Sequence, residues 1–125
     1  MTTDWSRLQS IAAAEIRTTL QSLPRSLRER ALKLPVICEP HPNDALVADG
    51  IEPDTLGLFV GPSFQDEEAT AFPVPAQIIL FLENLWESAA PDEQTFREEI
   101  RTTLLHELGH YLGLNEDELF DRGLE

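Results

Sequence analysis

Only one cysteine, Cys38, occurs in this chain of 125 residues, so no internal disulfide can staple it. That fits a reducing compartment, and the expected localisation is cytoplasmic. Cys38 lies in the apolar run Val36-Ile37-Cys38 and is expected to be a core residue. The only methionine is Met1, so no methionine turn can lie beneath a metal site. No run of about 18 apolar residues occurs, which predicts no membrane-spanning helix and no membrane partner. Asp4, Arg7, Glu15 and Arg17 interrupt the N-terminal stretch where a secretory leader would need an apolar core.

Positive charge is also scarce. Nine Lys and Arg face 23 Asp and Glu, for a formal net charge of −14. Residues 34–96 contain no base and twelve acids; all nine bases fall in residues 1–33 or 97–122. Nucleic acid is therefore an unsuitable partner, because phosphates must be neutralised by cations. The acidity keeps the surface solvated and could attract a basic peptide. At 42% hydrophobic residues, the length and composition suit a single domain over residues 1–125 with a real core.

Against this background stands His106-Glu107-Leu108-Gly109-His110. Flanked by Ile100–Leu105 and Tyr111-Leu112, it reads as helix. Residues four apart share a helix face, so both imidazoles can serve one metal ion, with Glu107 as the general base toward a metal-activated water. Gly113 then ends the helix. Glu116 takes the place of the third ligand in H-E-x-x-H-x-x-G-x-x-H proteins. Asp117 is the alternative third ligand, and either acid could instead cap a last helix over 117–122. Only 15 residues follow His110, which leaves little chain for a ligand on a later helix. His41, between Pro40 and Pro42, reads as a loop histidine. Tyr111, the sole tyrosine, should point off the ligand face and pack in the core, leaving no convincing oxyanion donor. Gly109 weakens its helix and suggests close backbone approach. Two imidazoles and a carboxylate suit zinc best, one ion per chain, and tolerate iron, cobalt or nickel.

The stretch from Arg101 to Leu119 resembles the core of the small bacterial zincin-like metallopeptidases, or minimal zincins. Leu56–Gly61 and Ile78–Leu85 resemble further blocks of that family. The resemblance implies an α+β fold, with a small three- to four-stranded sheet packed against a long active-site helix and N-terminal helices. It implies zinc ligands His106, His110 and Glu116 and the base Glu107. The family usually carries Asp at the third position, so Glu116 with Asp117 beside it leaves the choice of carboxylate open.

Periodicity predicts helices over 4–22 and from Pro24 to Leu34, and strands at Val36–Glu39, Leu56–Val60 and Ile78–Leu82, the last of these central. Loops are predicted over 40–53 and 64–75, and a short helical turn over Leu85–Ala90. The active-site helix should open at Pro91, with Asp92 and Glu93 at its positive end. Its apolar contacts should come from Ile100, Leu104, Leu105, Leu108 and Leu112. Three functions are compatible with these features. The first is a zinc peptidase acting on a peptide or protein substrate laid along a sheet edge. The second is a zincin-like metal-binding or interaction module with weak or no turnover, and the third an acidic interaction protein.

Overall fold

The computed structural model describes residues 4–61, 76–114 and 118. Helix α1 (Trp5–Gln21) begins where the Asp4 carboxylate accepts from the Ser6 amide. It buries Leu8, Ile11, Ala12 and Leu20, the three- and four-residue spacing of an amphipathic stripe. Helix α2 (Arg25–Ala31) follows Pro24 at its N-cap, and its Leu27 and Ala31 continue that buried face. It ends sooner than its pattern predicts, although Leu34 beyond it is still buried at 5% exposure.

Strands β1 (Val36–Glu39), β2 (Gly57–Val60) and β3 (Gln77–Phe81) form a mixed sheet in the order β1-β3-β2. Strand β3 is central, as its unbroken apolar character predicts. It runs parallel to β1 with Val36 opposite Ile78, and antiparallel to β2 with Phe59 opposite Ile78 and Gly57 opposite Leu80. Side chains alternate between faces along a strand. Val36, Cys38, Ile78, Leu80, Gly57 and Phe59 therefore share the face against which the helices pack.

Between β1 and β2 the loop expected from its Pro, Asn and Asp content contains helix α3 (Asp44–Ala48), started by the Asn43 side chain accepting from the Leu46 amide. Helix α4 (Leu82–Ser88) follows β3 without a loop. It starts earlier than the sequence suggests because Leu82 and Leu85, three apart, are both fully buried. Asn84 in α4 donates to the Pro53 and Thr55 carbonyls, tying the approach to β2 onto this helix.

Helix α5 (Glu93–Leu112) is the long element that carries the motif. Its N-cap is Asp92, one residue inside the predicted start, with the carboxylate accepting from the Thr95 amide and hydroxyl at 2.9 and 2.8 Å. Ala90, at φ 55°, makes the tight reversal from α4. Phe96, Ile100, Leu104 and Leu108 form a four-residue ridge buried to 0–1% exposure. Phe96 meets Trp86 edge to face at 5.3 Å. Replacing Leu104 by Ala would cost about 2–5 kcal/mol through lost contacts and a cavity. Helix α1 lies against α5 and is tied to it by the exposed pair Arg7–Glu93 at 2.8 Å. The predicted loop over 64–75 and last helix over 117–122 lie outside the described residues, Glu118 excepted. No described helix is long and apolar enough to cross a membrane.

Candidate metal centre

Three adjacent stripes run along α5, each four residues apart, and they have three environments. Ile100, Leu104 and Leu108 are buried in the core. Thr103, Glu107 and Tyr111 face β2. Thr102, His106 and His110 are exposed. The motif thus lies with its imidazoles toward solvent and the Glu107 stem against the sheet edge.

The imidazoles converge. The Nε2 atoms of His106 and His110 are 3.3 Å apart, and the ring centroids 4.9 Å. Two nitrogens bound to one tetrahedral zinc at roughly 2.0–2.1 Å stand about 3.3–3.4 Å apart, so the pair fits such an ion without a change of spacing. The same separation accommodates an N–H···N hydrogen bond between neutral rings. Among the described residues no three His, Cys, Asp or Glu side chains form a metal-holding group. Glu116 and Asp117, the two candidates for a third ligand, lie outside the described residues.

Glu107 is half-buried. A Cβ built on Gly57 would stand 3.5 Å from Glu107 Cγ and 2.5 Å from Thr103 Cγ2. Real Cβ atoms do not approach methyl carbons to 2.5 Å, so β2 can lie this close to α5 only because residue 57 is glycine. Gly57 and Thr103 are positioning residues that motif spacing does not reveal. The available signal was an isolated glycine within the apolar strand Leu56–Val60. Two residues on, Phe59 meets Tyr111 with ring centroids 5.8 Å apart. Tyr111 is 3% exposed, the core role expected of it.

Strand β2 is an edge strand. Among the described residues no strand pairs with its outer side, which leaves a row of backbone donors and acceptors beside the motif. Where β2 begins, a cavity of about 530 Å³ is lined by Asp54, Thr55, Leu56, Asn84, Glu87 and Ser88. His41 is exposed, and its Nδ1 donates to the Pro42 carbonyl at 3.3 Å. Cys38 is half-buried, and its thiol is pushed up to about 11 by burial and then by the Glu39 charge. It is a neutral thiol near neutral pH, unsuited to nucleophilic work.

Gly113 closes the helix at φ 73°. The Leu114 amide donates to the Gly109 carbonyl at 2.8 Å and the Gly113 amide to the His110 carbonyl at 3.2 Å. This is the Schellman pattern, and it stops the helix three residues after the second imidazole.

Compared with known families, the chain matches the zincin-like metallopeptidases over residues 32–124, about three quarters of its length, and it belongs to that family. The match takes in the whole sheet and the motif helix, and begins just after α2. No curated protein is matched by the chain.

Proposed function

We propose that this chain is a zinc-dependent peptidase. One zinc ion would be held by His106, His110 and Glu116, with Asp117 as the alternative carboxylate. The observation that carries the reading is the 3.3 Å convergence of two Nε2 atoms on the open face of α5, next to a carboxylate set against an edge strand. When bound, zinc acidifies water and polarises the scissile carbonyl. The rest is the work of the chain. The outer edge of β2 takes an extended peptide as an added strand through main-chain hydrogen bonds. Glu107 accepts a proton from the attacking water and returns it to the leaving amine nitrogen. A Glu107 stem packed against β2 at Gly57 would limit its rotamers.

A second reading has one observation in its favour. Tyr111, the sole tyrosine, has its ring buried against Phe59, away from the imidazole stripe where a hydroxyl could steady a developing oxyanion. A zinc-binding module with little turnover is consistent with that. Glu107→Gln separates the two. For a peptidase, a fluorogenic peptide library should lose at least about 100-fold in kcat/KM, with zinc content unchanged. Equal turnover in wild type and Glu107→Gln, both holding zinc, contradicts the peptidase reading.

A further inference from the structure

At the β1 edge of the sheet, the edge opposite β2, a second cavity of about 390 Å³ is lined by α1, the chain after α2, and β1. Helix α1 contributes Ala13, Ile16, Arg17, Leu20 and Gln21, a stripe at helical spacing roughly 12 Å long. Leu32, Val36 and Cys38 complete the lining. Leu32 is 62% exposed, the highest value among the large exposed hydrophobics. Isolated exposed leucines need no explanation; this one borders an apolar trough.

The segment that supplies most of the trough has the opposite sign of charge to the molecule. Residues 13–36 carry five bases, Arg17, Arg25, Arg28, Arg30 and Lys33, against two acids, Glu15 and Glu29, in a chain of net charge −14. Both acids are paired, Glu29 with one of these five bases. Glu29 lies 3.6 Å from Arg25, and Glu15 lies 4.0 Å from Arg97 of α5. Arg28 reaches the Gln21 carbonyl at the end of the trough, at 3.4 Å. No described carboxylate lies within 4.0 Å of Arg17 or Lys33. Five of the eight lining residues, all on α1, precede residue 32, where the family match begins.

We propose that this trough docks an acidic amphipathic helix of a partner protein. Aliphatic side chains at i, i+3, i+4 and i+7 would enter between Leu20, Ile16 and Leu32. Flanking Asp or Glu would meet Arg17, which lines the trough, and Arg28, which reaches its Gln21 end. The acidic remainder of the molecule repels such a segment everywhere else, which restricts it to this site.

The probe is a fluorescein-labelled helical peptide of about 14 residues, leucine at those four positions and glutamate elsewhere, titrated by anisotropy into the full chain at low salt. Its control carries lysine for glutamate and will bind the acidic body nonspecifically. The expected result is saturable binding of the glutamate peptide, weakened about tenfold or more by Leu32→Asp and by Arg17→Glu. Both positions are exposed, so circular dichroism should be unchanged, and the lysine peptide should bind both variants as well as wild type or better. Absence of glutamate-peptide binding at about 1 mM, or binding indifferent to both substitutions, overturns the proposal. A dimer seen by sedimentation and dissolved by Leu32→Asp would assign the trough to a second copy and overturn it equally.

Discussion

Glu107 has its place because of a residue that contributes no side chain. Gly57 lets β2 approach α5 until a Cβ there would sit 2.5 Å from Thr103 Cγ2. Gly57→Ala should therefore force the strand outward and destabilise the protein by about 1–3 kcal/mol, the usual range for overpacking. Thr103→Ser removes the offending methyl and should restore most of that loss, as read from urea midpoints of the single and double variants. Additive effects in the double variant would contradict the contact. The imidazoles and Glu107 were legible in the sequence because their spacing is fixed within one helix. The Gly57–Thr103 contact was not, because it joins residues 46 apart in the chain that only the fold brings together. Cys38, expected in the core, is half-buried and packs against it. With its thiol near 11 against an ordinary 9.0, iodoacetamide at pH 8 should modify it about 100-fold more slowly in the native protein than in urea. Equal rates would mean that the thiol is not held neutral by burial.

At the scale of elements, α5 is defined by its two ends. Asp92 accepts from the amide and hydroxyl of Thr95, and these bonds hold its carboxyl below the ordinary 3.8. A carboxylate whose pKa falls on folding contributes stability above its unfolded value and loses it as pH falls through the folded one. The Tm difference between wild type and Asp92→Ala should be full above pH 3.8 and close as the pH is lowered below it. A gap that persists in strong acid would mean that Asp92 acts through packing rather than charge. At the other end the αL backbone at Gly113 stops the helix just past His110, as its glycine predicted. The helix α3 was not legible, because the Pro, Asn and Asp around it read equally well as loop. Asn43, which caps it, was the available cue. The early start of α4 escaped for a related reason. Leu82 reads as the last strand residue by composition, and only its burial alongside Leu85 marks it as helix.

Across the whole molecule, sequence position and charge have separate consequences. The acidic middle of the chain, residues 34–96, supplies all three strands, and with them the sheet edge beside the motif. The basic N-terminal helices supply a clamp on α5, through Arg7–Glu93, and the trough. The family match from residue 32 includes the sheet and the helix that carries Glu107 and the imidazoles. The α+β class was legible because long helical stripes and short apolar runs alternate in the chain. The packing of α1 against α5 was not, since an amphipathic stripe predicts burial but names no partner. The central claim, a zinc centre on this scaffold, is tested most directly by elemental mass spectrometry of untagged protein beside His106→Ala, His110→Ala, Glu116→Ala and Asp117→Ala. The account predicts about one zinc per chain in wild type, lost in both histidine variants and in one of the two carboxylate variants. Wild-type protein that holds no zinc after incubation with the ion and desalting would contradict it.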